Sequence, residues 1–277
     1  MRIRVGGVPE HFNLPWHLGL EQGAFARAGL EIDFIEYPTG TGAMCQDLRA
    51  GKLDLAVALT EGLLMDIARY GQIALLAPYV LSPLRWGIHV GASTTLNDVA
   101  ELQEQVFAIS RHGSGSHLMA LLWGREQGWD PRTMSFATAG GLDQLTHCVG
   151  EGLAKAFLWE VFTTLPKVRA GQLRCLAEFP TPWPCFMVAA HCEVLAQRRE
   201  ELDTLLTVLY DLTARCMQQS EITIVEVARR YDLSLSDAES WFRDLRWATG
   251  PELPRAELAQ AMQVLKELGL VSPAAAC

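Results

Sequence analysis

The chain has 277 residues, of which 49% are hydrophobic, and its formal net charge is −9. This length and apolar content are enough to bury a large core, and they favour two lobes over one. The acidic balance argues against nucleic acid as a partner, and the sequence has no run of about 18 apolar residues that would insert directly into a membrane.

The start of the sequence and its cysteines both bear on location. Two glycines, a proline, a glutamate and a histidine between residues 6 and 11 interrupt the apolar run that a secretory signal requires. We therefore expect a cytoplasmic protein as the chain is written, and a periplasmic one if a leader has been trimmed. The sequence has seven cysteines, an odd number, and no two of them have the short spacing typical of a disulfide framework. We therefore interpret them as reduced thiols.

The first 81 residues repeat a strand, a turn of small residues and a helix three times. Strands are predicted at 3–8, 30–37, 54–59 and 73–81, and helices at 14–28 and in the segments that end at Ala50 and Tyr70. A glycine follows each helix, as is typical of a helix stop. This alternation predicts an α/β sheet with crossover helices, in which ligands bind at the carboxyl ends of the strands.

A second α/β set follows after an extended segment at 86–91 and a short predicted helix at 96–102. Its strands are predicted at 106–109, 134–137, 154–159 and 173–176, with helices at 118–127, 141–149 and 160–170. Another extended segment at 185–190 leads into an almost wholly helical end. We interpret 1–88 with 188–277 as one lobe, 92–182 as the other, and 85–94 and 180–190 as hinge connections beside a cleft.

The turn between Ile109 and the second set's first helix is the first candidate binding site. When a strand is followed by a turn of small residues and then by a helix, the backbone N–H groups at the start of the helix point at a ligand. This arrangement is typical of anion and polar-group sites. The dinucleotide and P-loop patterns do not fit, because Leu118 stands where a third glycine belongs and no lysine is near. The site candidates here are Ser110, His112, Ser114 and Ser116. A tight turn with a serine N-cap explains the same residues.

Trp159 and Glu160 end a predicted strand of the second set. An indole face beside a carboxylate suits a flat heteroaromatic ligand that bears an amino group, through stacking and a charge-assisted hydrogen bond. The alternative is that Trp159 belongs to the core and that Glu160 caps the next helix.

Further candidates follow strands of the first set. Residues 39–42, and Thr60 with Glu61, stand at helix starts, where backbone N–H groups would hold a sulfonate, carboxylate or phosphate, although ordinary N-capping explains them equally well. Glu10 and His11 follow the first strand, and we expect them to line the cleft. The ligand-binding candidates are Glu10, His11, Thr39, Gly40, Thr41 and Thr60.

Three other patterns lead to no site. His112 and His117 lack a standard ligand spacing, so we predict no metal and no cofactor. His147 and Cys148 are neighbours on a predicted helix, where adjacent side chains point apart. The segment 222–247 has the pattern of a helix-turn-helix, but its acidic residues outnumber its basic ones, which favours a helical segment packed on the first lobe.

Several stretches, in their order and spacing, resemble the solute-binding proteins of the sulfonate, taurine, nitrate and thiamine-precursor import group. These stretches are 20–32, 40–42, 48–56, 109–117, 128–131, 151–160 and 265–270. The sequence departs from that group at Lys155, where the group has aspartate, at 102–105, and in showing no export signal.

The resemblance implies a two-lobed type II periplasmic-binding-protein fold that closes on a small polar, anionic or heteroaromatic solute, such as a sulfonate or a thiamine-pyrimidine precursor. It also implies the membrane components of an ABC transporter as partners. Two alternatives stay open: an enzyme of the same fold that uses Glu160, His11 or His112 for proton transfer, and a cytoplasmic ligand sensor that contacts a partner protein.

Overall fold

The structure, a computed structural model, describes residues 2–272. The strands in chain order are β1 (Arg2–Gly7), β2 (Glu31–Glu36), β3 (Leu55–Leu59), β4 (Ile73–Val80), β5 (Arg85–Gly91), β6 (Val106–Ile109), β7 (Ser135–Thr138), β8 (Ala156–Glu160), β9 (Leu173–Pro180) and β10 (Phe186–His191). The helices are α1 (Leu14–Glu21), α2 (Ala24–Arg27), α3 (Thr41–Arg49), α4 (Thr60–Tyr70), α5 (Gly115–Glu126), α6 (Leu142–Gly150), α7 (Val161–Arg169), α8 (Cys192–Gln197), α9 (Arg199–Gln218), α10 (Ser220–Arg230), α11 (Leu235–Asp244) and α12 (Arg255–Glu267).

The chain divides into two compact units. The first comprises Met1–Pro83, Pro182–Lys266 and Val271–Cys277, and the second comprises Leu84–Thr181 and Glu267–Leu270. Each unit has its own five-stranded sheet, so the strands predicted at 3–8 and 106–109 lie in different sheets, as the repeated α/β pattern predicts.

The first sheet has the strand order β2-β1-β3-β10-β4. Strands β1, β2 and β3 are parallel, and β10 runs antiparallel to both β3 and β4. The carboxyl ends of the four parallel strands therefore meet the amino end of β10 at one edge. Apolar side chains such as Val5, Val57 and Val188 are fully buried in this sheet, and their removal from water is the main force that holds it to its helices.

The second sheet has the order β7-β6-β8-β5-β9 and repeats the arrangement of the first. Strands β6, β7 and β8 are parallel, and β5 runs antiparallel to both β8 and β9. By position, β8 corresponds to β3 and β5 corresponds to β10. One face of this sheet packs on α6 through a buried cluster that includes Ala108, Leu145 and Phe157.

Most residues of the two segments predicted as hinge connections lie in strands inside the sheets. Residues 86–91 lie within β5, between β8 and β9, and 186–190 lie within β10, between β3 and β4. The units change at Pro83 and Pro182, so the second unit begins at Leu84 rather than at 92. An extended apolar segment has the same local pattern in a linker and in a buried strand, and only pairing with neighbouring strands separates the two.

Several element boundaries also differ from the prediction. The predicted helix 14–28 is divided into α1 and α2 at Gly23, which has a φ of +65° in the left-handed region that favours glycine. The predicted helix 96–102 is only a 3-10 turn, Val99–Leu102, which begins after a capping box at Asp98. The extended segment predicted at 173–176 continues to Pro180 because β5 pairs with it over that length.

The helical end of the sequence forms α8 to α12, and the segment 222–247 folds as α10 and α11 in the first unit, as predicted. Among residues 2–272, none of the helices combines the length and the apolar content needed to cross a membrane.

Candidate functional site

Glu160 lies at the edge of the second sheet where the carboxyl ends of the parallel strands meet. It ends β8 and caps α7, and its carboxylate accepts hydrogen bonds from the backbone N–H and the hydroxyl of Thr163, both at 2.7 Å. The side chain is buried, and this burial raises the pKa of Glu160 to about 7 although the two hydrogen bonds from Thr163 lower it. Glu160 is therefore a helix cap, as the alternative interpretation held, and also a buried carboxyl group that titrates near neutral pH.

Trp86 lies directly opposite Glu160 on the neighbouring antiparallel strand β5. Residues that are directly opposite in an antiparallel pair project to the same face of the sheet. The indole of Trp86 is buried, and its Nε1 has no hydrogen-bond partner among the described residues. A buried donor without a partner is costly, so this N–H is a strong candidate for a ligand contact. The sequence prediction missed Trp86 because nothing in its local sequence marks its distant partner.

Trp159 does not share a face with Glu160. Successive residues of a strand point to opposite faces, and Trp159 is half-buried against the cluster of Leu145, Phe157 and their neighbours. This position favours the interpretation that Trp159 belongs to the core, and it places the indole away from any ligand held by Glu160.

The turn that follows β6 is tied together by its own side chains. Ser114 caps α5, and its Oγ accepts a hydrogen bond from the His117 N–H at 3.3 Å. The Ser116 Oγ accepts from the Ser110 N–H at 3.0 Å and lies 3.0 Å from the Ser114 Oγ. Both Ser114 and Ser116 are buried, so the cap interpretation explains their hydroxyls and leaves Ser110, which is half-buried, as the hydroxyl closer to solvent.

The two histidines of this turn differ in exposure. The Nδ1 of His117 accepts a hydrogen bond from the Gly113 N–H at 3.1 Å, which requires a neutral ring, and burial lowers the pKa of His117 to about 4. His112 is exposed, and its ring packs edge-on against His117 with centroids 5.0 Å apart. Among the described residues, no group of three histidine, cysteine or acidic side chains is placed to hold a metal ion.

The turn and Glu160 belong to the same sheet edge. Because β6 and β8 are parallel neighbours, Ser110 and Glu160 leave the sheet side by side. Both lie in the second unit, as expected for residues that follow strands of the same α/β set.

Glu61 lies in the first turn of α4, two residues after the end of the central parallel strand β3, whereas Glu160 is the last residue of β8. Glu61 is completely buried, and its Oε2 accepts a hydrogen bond from the Trp183 Nε1 at 2.9 Å. Its Oε1 has no hydrogen-bond partner among the described residues, and burial raises the pKa of Glu61 to about 7. The sequence prediction placed Glu61 at a helix start but assigned ligand binding there to backbone N–H groups, not to this carboxyl group.

The threonines near Glu61 are engaged by the backbone. The Thr41 Oγ1 accepts from the Leu59 N–H at 3.1 Å, and the Thr60 Oγ1 donates to the carbonyl of Pro184. Thr39 is exposed, and Gly40 precedes α3 with a φ of +76°. The structure therefore brings Thr41 and Thr60 to the same sheet edge as Glu61, although their hydroxyls already have partners.

His11 lies in a 3-10 turn after β1 and is buried in an aromatic cluster. Its ring centroid is 4.8 Å from that of Trp241 and 5.9 Å from that of Tyr231, and burial lowers the pKa of His11 to about 3. The Tyr231 hydroxyl and the Trp241 Nε1 have no hydrogen-bond partner among the described residues. Glu10, its neighbour, is only half-buried. A neutral imidazole in this setting is suited to packing and hydrogen bonding rather than to proton transfer near neutral pH.

The buried ionisable groups at the two edges are carboxyl groups, and the half-buried Arg85 lies near enough to Glu160 to lower the pKa of that carboxyl group. Glu61 and Glu160 are buried there, whereas none of the lysine and arginine side chains in residues 2–272 is buried. An anionic ligand would find N–H groups at these edges but no buried cation.

Comparisons with known proteins agree with this architecture. A family model described as Ca3427-like PBP matches residues 86–179. The Candida albicans CA3427 gene product, said to define a new family with the generic periplasmic binding protein fold, is 24% identical over 99% of this chain and 92% of its own, with a TM-score of 0.91. No curated protein matches the chain.

Two ligand-bound structures are also similar. The alkanesulfonate-binding protein SsuA from Xanthomonas axonopodis pv. citri, bound to MOPS, is 17% identical over 98% of this chain and 94% of its own, with a TM-score of 0.79. PhnD1 from Prochlorococcus marinus, in complex with methylphosphonate, is 13% identical over 98% and 99%, with a TM-score of 0.66. With its two mixed sheets and their helices, this chain has the periplasmic-binding-protein fold.

Proposed function

We propose that this protein binds a small, flat, amino-bearing heteroaromatic molecule, such as a pyrimidine of the thiamine-precursor type, and does not convert it. The observation that carries the proposal is the pair of Trp86 and Glu160 at the edge of the second sheet. The pair offers one buried N–H donor that has no partner within residues 2–272 and one buried carboxyl acceptor on the same face.

The pattern of donor and acceptor matches the edge of an aminopyrimidine. An exocyclic amino group donates to the Glu160 carboxylate while the adjacent ring nitrogen accepts from the Trp86 Nε1. Both hydrogen bonds are made inside a dry environment, where a satisfied polar pair is favourable and an unsatisfied one is penalised. A ligand that lacks the ring nitrogen would leave the Trp86 Nε1 without a partner among the described residues, and one that lacks the amino group would not form the added hydrogen bond to Glu160.

The charge at the sheet edges favours this ligand class over sulfonates and phosphonates. SsuA was solved with MOPS and PhnD1 with methylphosphonate, both of them anionic molecules. In this chain the buried ionisable groups at the edges are carboxyl groups, and no lysine or arginine of residues 2–272 is buried beside them. An amino-bearing ring needs no counter-cation, whereas an anion bound at the edge of the second sheet would lie close to the Glu160 carboxyl group.

The role of binding depends on location. Delivery of the ligand to the membrane components of an ABC transporter is the role that the family resemblance implies, and it belongs in the periplasm. In the cytoplasm, the same chemistry would serve a ligand sensor. Fractionation of cells that express the native gene, followed by pull-down of the tagged protein, separates these two roles.

A thermal-shift screen tests the ligand class. The panel contains 4-aminopyrimidines, pyrimidines without the amino group, alkanesulfonates and carboxylates. We expect stabilisation by the 4-aminopyrimidines alone, by about 2.7 kcal/mol at a ligand concentration of 100 times Kd. Mass spectrometry of the incubated ligand should show no turnover. Stabilisation by a sulfonate, or chemical conversion of the bound ring, would overturn the proposal.

A further inference from the structure

A separate cavity of about 420 Å³ opens in the helical part of the first unit. It is lined by α1, α9, α10 and the residues that follow α1 and α9, and it shares no residue with either sheet edge. Its volume falls within the range of about 300–1,000 Å³ that is typical of small-molecule sites. This cavity is therefore large enough to hold a ligand of its own.

The wall of the cavity is mostly apolar and partly open to solvent. Leu18 and Leu212 form its inner side, and Ile222 and Val225 from α10 form its outer side. Ile222 is 67% exposed and Val225 is 55% exposed, which makes them two of the five large hydrophobic side chains that the described residues leave exposed. Adjacent exposed apolar groups beside a cavity are unfavourable in water and are stabilised when an apolar ligand covers them.

One of the residues that line the cavity, Arg215, is a cation without a carboxylate partner among the described residues. Arg215, in the last turn of α9, donates to the Gln22 Oε1 at 3.2 Å and forms no ion pair with any of residues 2–272. A guanidinium group binds a carboxylate through two parallel hydrogen bonds, which is its strongest kind of contact.

The two acidic residues that line the cavity, Glu221 and Glu226, are each stabilised by positive charge within the protein. The Glu226 carboxylate is held by Arg229 at 2.6 Å and by Arg230 at 2.9 Å. Glu221 lies in the first turn of α10, where the positive end of the helix dipole stabilises a carboxylate. Arg215 is thus the rim charge that a ligand can complement, and the complement is an anion.

We propose that this cavity binds a small amphiphile with an apolar tail and a carboxylate head, of the medium-chain fatty acid class. The tail covers Ile222 and Val225 and fills the space beside Leu18 and Leu212, and the head binds Arg215. The inference does not depend on the ligand proposed for the sheet edges.

Calorimetric titration with decanoate, kept below its micelle concentration, tests the proposal on the full chain. Wild type should show saturable binding of one molecule, and decanol, which has the same tail without the charge, should bind at least about fivefold more weakly. Arg215→Gln should weaken decanoate binding about tenfold, the equivalent of about 1.4 kcal/mol, and leave decanol binding unchanged.

Two matched double variants test the apolar wall. Ile222→Ser with Val225→Ser should weaken the binding of both compounds. Leu153→Ser with Leu235→Ser removes two side chains that are 68% and 55% exposed but lie outside the cavity, and it should bind decanoate as wild type does. All four positions are exposed, and circular dichroism confirms that each variant is folded.

Three results would overturn the inference: no saturable binding of decanoate to wild type, equal loss in the two double variants, or decanol binding as tightly as decanoate. Loss of decanoate binding in Glu160→Gln would also overturn it, because the fatty acid would then occupy the sheet edge. Failure of the aminopyrimidine screen leaves these expectations unchanged, so the two proposals fail separately.

Discussion

Trp86 and Glu160 lie directly opposite one another on adjacent antiparallel strands. Trp86 has a buried donor without a partner in the described part of the chain, and Glu160 has a buried carboxyl group. The pairing is made by β5, a strand that enters the second sheet between β8 and β9. The position of this strand places an indole N–H beside the carboxyl group at the edge where ligands of α/β sheets bind.

At pH 8, above the pKa of about 7 of Glu160, Glu160→Gln should weaken the binding of the best aminopyrimidine by roughly 1.5–3 kcal/mol, because an ionised acceptor becomes a neutral one. The amide oxygen still accepts from Thr163, so the cap of α7 is retained. Trp86→Phe should also weaken binding, since it removes the N–H and keeps an aromatic ring. Calorimetric titration of both variants measures these losses.

Trp123→Phe is the matched control for Trp86→Phe. Trp123 is buried in the same unit, on α5, and lies outside the sheet edge. It should lose stability but keep wild-type affinity. Wild-type affinity in both Glu160→Gln and Trp86→Phe would show that the ligand binds elsewhere.

Glu61 makes the stability of the fold depend on pH. Its pKa is about 7 in the folded protein, against an ordinary value of 4.5, because burial penalises the charged form. The folded state keeps the proton over this range while the unfolded chain loses it, so the contribution of Glu61 to stability falls as the pH rises from about 4.5 to about 7. Relative to wild type, Glu61→Gln should gain stability on the order of 3 kcal/mol between those pH values.

Urea unfolding at pH 5, 6 and 8 measures this difference. His11 and His117, whose pKa values are lowered to about 3 and about 4, act in the opposite direction, because stability is lost as the pH falls below about 6.5. They are present in both proteins and cancel in the comparison. Glu31→Gln, at an exposed position, is the control and should show no such gain. A difference between wild type and Glu61→Gln that is constant with pH would contradict the prediction.

Ser114→Ala should destabilise the protein by about 1 kcal/mol, since the Ser114 hydroxyl caps α5 by accepting from the His117 N–H. Ligand affinity should change much less, because the side chain is buried within the turn. Chemical unfolding and calorimetric titration give the two numbers. A large loss of affinity with unchanged stability would assign Ser114 to the ligand instead.

The seven cysteines should be reduced in the protein as purified without added reductant. Thiol titration of the denatured chain should count close to seven groups, as the odd number and scattered spacing predict. A count of three or fewer would indicate disulfides and an exported protein. This count bears on location more directly than any feature of the fold.

The local sequence was enough to predict most of the elements and the class of the fold. Alternating strand and helix patterns, with glycine after each helix, predicted β1 to β4 and their helices to within a few residues. The same patterns put Glu160 at the junction of a strand and a helix, where a carboxyl group both caps the helix and meets the sheet edge. These features depend on residues that are close in sequence, so a single segment contains the information.

The tertiary structure alone decided which strands pair. The segments 86–91 and 185–190 have the pattern of any extended apolar stretch, and only the ladders with β8 and β9, or with β3 and β4, make strands of them. Those pairings place Trp86 beside Glu160. They also anchor the chain before β10, where Trp183 donates to Glu61. Each contact joins residues far apart in sequence, and its stability comes from burial and hydrogen bonds that exist only once the sheet has formed.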